Sequence, residues 1–284
     1  MVKAVALHSI VPVRSRPAED AEQLTQMLFA ETCDIIAEKC RWKQVKLHLD
    51  GQQGWVDAKM VSPLSEDEYV QLEASLASAA LVRLPMTYAV SSNNGQTLPL
   101  TAGTRLPAYS DGQFSVLGVT FRIDPQAVAT KPLDLNAGEL MTAVRFFLNT
   151  PYLWGGKNAL GMDCSGFSQV VMSLFGIKLP RNASEQAREG KEVPTLQEAV
   201  AGDLVFFNHA DINPAQTNIS HVGILIDSQR VVHCSGRVKV ERIDVNGIFS
   251  VEIRDSLHPD GQYTHHLASV RRYSCADADR QTRE

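Results

Sequence analysis

Asp163-Cys164-Ser165-Gly166-Phe167, continued by Ser168-Gln169-Val170-Val171-Met172-Ser173-Leu174-Phe175-Gly176, is the stretch on which the reading of this chain turns. Phe167, Val170, Val171, Leu174 and Phe175 recur at helical period, Asp163 stands where an N-cap belongs, and Gly176 stands where a helix ends. A helix from about 164 to 175 is predicted, with Cys164 in its first turn. Cys164 is in register with Phe167, Val171 and Phe175, so it faces the sheet on which the helix packs. A helix N-terminus offers unpaired N–H groups and partial positive charge, and both are expected to lower the pKa of a thiol there. On position alone, a small buried cysteine that merely packs is the commoner case.

A working thiol needs a base. His221 and His233 fall on two consecutive predicted strands joined by a turn at Asp227-Ser228-Gln229. His221, Gly223 and Leu225 share one face of the first strand, and Val231 and His233 share one face of the second. Pairing Ile226 with Arg230 sets Gly223 against His233, which makes the two histidines diagonal neighbours on one face. Only an odd shift of register separates them. One can then take a proton from Cys164 while the other binds its second ring nitrogen, the logic of nucleophile, base and orienter. Two hydrogen-bonded core histidines fit the same pattern. A zinc site from Cys164, His221 and His233 fits by ligand type but lacks local ligand spacing. Cys234 points to the opposite sheet face and reads as core, and His209, His258, His265 and His266 read as surface residues.

Upstream, Tyr152-Leu153-Trp154-Gly155-Gly156 places two glycines after an aromatic pair, so the backbone can turn sharply and approach another group closely. It reads either as a pocket wall before the cysteine or as a loop staple with Trp154 in the core. Downstream, Pro180 to Gln186 begins a helix whose N–H groups and Ser184 either meet a substrate carboxylate or serve ordinary capping.

The flanks give the class. Asn136 and Glu139 have capping spacing ahead of a stripe of Leu140, Met141, Val144, Phe147 and Leu148. Strands are predicted at 204–207, 222–226, 230–234, 238–243 and 268–272. Helices followed by antiparallel strands make an α+β layout. The front of the chain is different: short apolar runs separated by turns, one of them at Asp50-Gly51, suggest a small barrel. Ser65 and Glu68 open a helix in capping-box spacing, with Tyr69, Leu72 and Leu76 along it. A second strand-rich stretch follows, with turns at Asn94-Gly95, Ala102-Gly103 and a hairpin around Asp111-Gly112. Ala127 to Asp134 reads as a linker, and residues 274–284 as a loose tail too poor in apolar surface to fold.

Composition excludes other classes. The chain has 284 residues, 44% hydrophobic and 21% charged, with a formal net charge of −5 and no long basic run. A nucleic-acid partner is therefore not expected. No apolar stretch approaches the ~20 residues of a membrane helix. The first twenty residues lack a signal-peptide core, so a cytoplasmic location is expected unless an export signal precedes them. Five scattered cysteines, Cys33, Cys40, Cys164, Cys234 and Cys275, make neither a disulfide framework nor a C-x-x-C pair.

Taken in order, Tyr152 to Gly156, Asp163 to Phe167, Arg181 to Gln186, Gly202 to Phe207, His221 and His233 resemble the NlpC-type cell-wall peptidases, a papain-like cysteine peptidase family. The resemblance covers roughly 135–273. Val11 to Ser15, Thr25 to Phe29, Trp42 to Leu47 and Asp50 to Val56 resemble a bacterial SH3-like domain, and about 81–130 looks like a divergent second copy. This implies an SH3-like domain at 1–63, a linker helix at 64–80, a second SH3-like barrel at 81–130 and the papain-like domain at 135–273. Two such barrels before this domain resemble the γ-D-glutamyl-L-diamino acid endopeptidases, which cut peptidoglycan stem peptides and act in murein recycling. The resemblance implies Cys164 as nucleophile, His221 as base and His233 as orienter. It further implies Tyr152 at the oxyanion, substrate contacts at Trp154, Asp163, Ser165 and Ser184, and no metal or organic cofactor. An amidase or acyltransferase on the same fold, or a non-catalytic peptidoglycan-binding protein, are the alternatives. In relatives that require a free L-alanine amine, an acidic residue and a tyrosine of the first barrel bind it. Leu24 and Gln52 stand at those positions here, with Glu22 nearby, so that requirement is expected to be relaxed or met differently.

Overall fold

The structure is a computed structural model that describes residues 1–208, 218–253 and 257–274. His209, Cys275 and the rest of the expected tail lie outside these residues. The chain divides into two compact units, residues 1–132 with 154–159, and residues 133–153 with the chain from 160 onward.

The first unit opens with seven strands: β1 Val2–Ala6, β2 Ile10–Arg14, β3 Gln23–Leu28, β4 Thr32–Lys39, β5 Trp42–Leu47, β6 Gln53–Asp57 and β7 Val61–Leu64. They form one antiparallel sheet in the order β3-β2-β6-β5-β4-β1-β7. Alternating side chains, among them Val11, Val13, Val45, Leu47 and Val56, fill its core. The turn at Asp50-Gly51 is present, with Gly51 at φ +74°. Helix α1, Glu66–Leu76, carries the capping box read from Ser65 and Glu68, and buries Leu72 and Leu76.

Seven short strands follow: β8 Ala80–Val82, β9 Met86–Ser91, β10 Thr97–Thr101, β11 Arg105–Leu106, β12 Gln113–Val116, β13 Val119–Ile123 and β14 Val128–Ala129. They form a four-stranded and a three-stranded sheet around a core that Phe29 and Ala30 of the first module also enter. The sequence reading needs two corrections here. The hairpin turns at Leu117-Gly118, between β12 and β13, because only there do alternating runs flank the turn on both sides. Asp111-Gly112 instead closes a small bridge between Ser110 and Gln113. The expected linker also begins as structure, since Val128 and Ala129 pair with β8.

In the second unit, α2 Ala137–Val144 starts at Asn136, whose side chain caps Gly138 and Glu139. Leu140, Val144 and Phe147 are buried, but Leu148 of the expected stripe is exposed. Two-residue strands β15 Lys157–Asn158, in the first unit, and β16 Gly161–Met162 precede α3 Cys164–Leu174, and α4 Ala183–Gln186 and β17 Lys191–Glu192 follow it. The remaining strands are β18 Leu204–Asn208, β19 Ile219–Asp227, β20 Arg230–Ser235, β21 Arg237–Asp244, β22 Gly247–Ser250 and β23 Gln262–Arg272. They pair in the order β23-β18-β19-β20-β21-β22, and β22 pairs back to β23, which closes a six-stranded barrel. Val205, Phe207, Leu225, Val231, Ile243 and Ile248 fill its interior. Alternation then puts His221 and His233 inside the barrel, and Val222, Val232 and Cys234 on its outer wall. No helix among the described residues is long and apolar enough to cross a membrane.

Candidate active site

The local structure at Cys164 follows from its cap. Asp163 has extended backbone, and its Oδ1 accepts the Gly166 N–H at 2.7 Å, which starts α3 at Cys164. A carboxylate this deep needs a counter-charge, and Arg181 supplies it. Arg181 is 1% exposed. Its guanidinium grips Asp163 Oδ2 at 2.5 Å and Oδ1 at 3.1 Å, and donates to Ser165 Oγ at 2.7 Å. The segment carrying Arg181 is held by Gln186, whose Nε2 donates to the Pro180 carbonyl at 2.7 Å. The side chains of Asp163 and Ser165 thus bond inside the protein and hold the helix start; the cap is read from sequence, the tie to Arg181 is not. The sequence shows Arg181 only as part of a motif, because its role depends on a partner eighteen residues away.

Cys164 itself is 7% exposed. Burial, followed by the nearby Asp163 charge, pushes its thiol up to about 12, against the pull of the Val222 N–H and Arg181. This overturns the expectation of a lowered pKa: desolvation of a thiolate outweighs the helix N-terminus. Burial thus favours the neutral thiol. The Val222 N–H, beside His221 on β19, favours the sulfur's anion, so the thiol lies against the strand that carries the histidine.

Tyr152 reaches the same place by backbone ties. Its N–H donates to the Gly236 carbonyl at 2.8 Å, and the next N–H, that of Leu153, donates to the Met162 carbonyl at 2.9 Å. Burial, then the Cys164 and Asp163 charges, push the Tyr152 phenol above its ordinary range. It therefore remains a hydrogen-bond donor.

Away from the turn the register is the one read from sequence, but a bulge beside the turn pairs Arg230 with Asp227 and not with Ile226. Gly223 pairs with His233 and Leu225 with Val231. His221 and His233 are 6% and 0% exposed. His221 Nε2 lies 2.8 Å from His233 Nδ1, the rings meeting edge to face. His233 Nε2 lies 2.8 Å from Oε2 of Glu241 on β21. Burial lowers the His233 pKa, and Glu241 opposes that. For Glu241, burial acts to raise the pKa, but hydrogen bonds from His233, Ser250 and Lys239 hold it at about 2. Glu241 is the residue that sequence reasoning missed. The signal was there: it is directly opposite Val231, which shares the barrel's inner face with His233.

His265 is also misplaced by the sequence reading. It lies half-buried on β23, its ring 4.3 Å from that of His221 at a 34° tilt, and Nδ1 is 2.9 Å from Thr264 Oγ1. A register shift in the β18–β23 pairing, opposite Phe206 and Phe207, hides its alternation. Ring nitrogens of His221, His233 and His265 lie within 4.8 Å of one another. The bond between the first two would have to break for a metal to use the nitrogens they share.

The other expected site residues lie as follows. Trp154 belongs to the first unit and is 60% exposed, so it is no core staple. Its Nε1 donates to Glu22 Oε1 at 2.8 Å. Gly155 has φ +72°, and a Cβ there would sit 2.4 Å from the Gln23 carbonyl oxygen. That is the close approach the two glycines suggested. Ser184 is half-buried in α4, a single turn in which Glu185 accepts the Asn182 N–H at 3.2 Å. Cys234 is fully buried and donates to the Met162 carbonyl at 3.1 Å, as a core cysteine should.

Residues 149–253 match the NlpC/P60 family, and residues 13–60 match the bacterial dipeptidyl-peptidase Sh3 domain. A Bacillus subtilis protein named gamma-D-glutamyl-L-lysine dipeptidyl-peptidase is 30% identical over 74% of this chain and 71% of its own length. A Bacillus cereus protein of the same name is 26% identical over 88% of this chain and 74% of its own length. A crystal structure of an NlpC/P60 family protein from Bacillus cereus superposes with a TM-score of 0.74 at 21% identity. That match covers 95% of this chain and 99% of the other, and it shows a shared fold.

Proposed function

The chain belongs to the NlpC/P60 family, and from that we propose that it hydrolyses the amide between D-γ-glutamate and an L-diamino acid in peptidoglycan stem peptides. Cys164 is the nucleophile, His221 the general base and His233 the orienting residue. The observations that support this reading are the Cys164 thiol against the N–H of Val222, the residue that follows His221 on β19, and the 2.8 Å contact of His221 Nε2 with His233 Nδ1. Because burial keeps the thiol neutral, attack requires transfer of its proton to His221 as sulfur approaches the carbonyl. The S–C bond forms, and negative charge develops on the carbonyl oxygen. In this reading, first-turn N–H groups of α3 and the protonated Tyr152 hydroxyl donate to that charge. Collapse breaks the C–N bond, and the imidazolium gives its proton to the leaving amine. Water, deprotonated by the same histidine, then attacks the acyl carbon, the S–C bond breaks, and the imidazolium returns its proton to the Cys164 sulfur. The relatives' names include dipeptidyl-peptidase, which fits release of L-alanyl-D-glutamate from peptides of wall turnover.

The test uses L-Ala-γ-D-Glu-L-Lys, its diaminopimelate counterpart and the α-linked isomer, with products identified by mass spectrometry. Release of L-Ala-D-Glu and the free diamino acid from the γ-linked peptides alone is expected. Cleavage between alanine and glutamate, or of neither γ-linked peptide, would refute the proposal.

A further inference from the structure

Glu241 lies two hydrogen bonds from the proposed base and touches neither Cys164's proton nor the scissile bond. We infer that Glu241 is a positioning residue that fixes the ring tautomers of His233 and His221, and so makes Nδ1 of His221 the nitrogen that takes the Cys164 proton. The inference rests on the assignment of Cys164 and His221 above and adds which atom acts and what selects it.

Glu241 is largely enclosed, its side chain 7% exposed. Its Oε2 is met by His233 Nε2 at 2.8 Å and Lys239 Nζ at 3.1 Å. Lys239 is shared with Glu252 at 3.3 Å, and Ser250 adds a hydrogen bond to the carboxylate. An ionised carboxylate only accepts, so His233 must carry its proton on Nε2. His233 is fully buried, which disfavours its charged form, and in the neutral ring with Nε2 protonated, Nδ1 is a bare acceptor. The group 2.8 Å from that acceptor is His221 Nε2, which must therefore donate. A neutral His221 then has its lone pair on Nδ1. Each step follows from the one before, and the chain begins at Glu241. In catalysis the S–H proton of Cys164 moves to Nδ1. The positive charge formed on His221 is held by the Nε2–H bond to His233, backed by the carboxylate. Phe207 and His265 flank the His221 ring and contribute no charge of fixed sign.

The experiment combines ¹⁵N-histidine NMR with kinetics on wild type, Glu241→Gln and Glu241→Leu. In wild type near neutral pH, Nε2 of both rings is expected in the protonated range and both Nδ1 atoms in the unprotonated range. The Glu241→Gln variant retains an accepting oxygen without the charge. Its tautomers should persist and kcat fall no more than about tenfold, while the acid limb of the rate profile moves to lower pH because an anion near the imidazolium is gone. With Glu241→Leu the acceptor is lost. His221 Nδ1 should become protonated in part of the population, and kcat should fall by about a hundredfold or more with KM changed less than about threefold. A neutral wild-type His221 protonated at Nδ1, or a Glu241→Leu enzyme with wild-type kcat, would overturn the inference. The wild-type spectra need no variant to fold. They also decide the tautomers even if the γ-D-glutamyl peptide proves not to be the substrate.

Discussion

Arg181 offers the strongest single test of how the site is built. It is 1% exposed and contacts Asp163 through both of its terminal nitrogens, at 3.1 and 2.5 Å. Replacing it with methionine approximates its volume and leaves Asp163 charged and buried. Removing one partner of such a pair costs about 3–5 kcal/mol, because the other is left uncompensated. Removing the charge of both is far cheaper. In Arg181→Met/Asp163→Asn, an asparagine oxygen can still accept the Gly166 N–H that Asp163 now takes at 2.7 Å. The double variant should therefore lie within about 2 kcal/mol of wild type. The chain has two compact units, so whole-chain unfolding need not be a single step. Native-state hydrogen exchange at α3 amides reads the relevant opening directly. At about 1.4 kcal/mol per tenfold, Arg181→Met should speed exchange there by roughly a hundredfold to several thousandfold, and the double variant should reverse most of it. Acceleration of less than about fivefold in the single variant, or strict additivity in the double, would refute the claim that this pair holds the helix start.

Other outcomes follow from the titrating groups and from residues of the first barrel. With the thiol held at about 12, alkylation of Cys164 by iodoacetamide should climb steadily through alkaline pH, and Asp163→Asn should shift the curve to lower pH. A plateau already reached at neutral pH would show a preformed thiolate. Glu241 is depressed from 4.5 to about 2, so it contributes stability above pH 4.5 that is lost as pH falls towards 2. The difference is worth roughly 3 kcal/mol, and acid unfolding of Glu241→Gln should lack that part of the pH dependence. Leu24 and Gln52 provide no anion, and Glu22 is engaged by Trp154 Nε1 at 2.8 Å. N-acetylation of the tripeptide is therefore expected to lower kcat/KM by less than about a hundredfold, roughly 2.7 kcal/mol. A larger loss would show an amine pocket, with Glu22→Gln the variant to locate it.

What sequence could and could not reveal divides along range. The helix at Cys164, its Asp163 cap and the register that joins His221 to His233 depend on local period and a short turn, and all are legible. The barrel is not: its closure is a pairing between β22 and β23, and no local signal marks it. His265 escapes notice because two adjacent histidines in a polar run look like surface, and because a register shift breaks the alternation that would have aimed one inward. Arg181 carries a charge whose meaning lies in a partner eighteen residues away, and Glu241 meets His233 only once β20 and β21 pair. The shift of the Cys164 thiol comes out with the wrong sign because helix position is read locally, whereas burial is a property of the whole fold. Asp111-Gly112 is a sound turn signal with only one adequate strand beside it.

The central claim is that Cys164 attacks the γ-D-glutamyl bond. The most direct measurement compares wild type, Cys164→Ala and Cys234→Ala on L-Ala-γ-D-Glu-L-Lys, with L-Ala-D-Glu quantified by mass spectrometry and folding of each variant verified by circular dichroism. The account predicts no enzymatic product from a folded Cys164→Ala protein, and turnover within about threefold of wild type from Cys234→Ala. Dipeptide release by Cys164→Ala at the wild-type rate would contradict it.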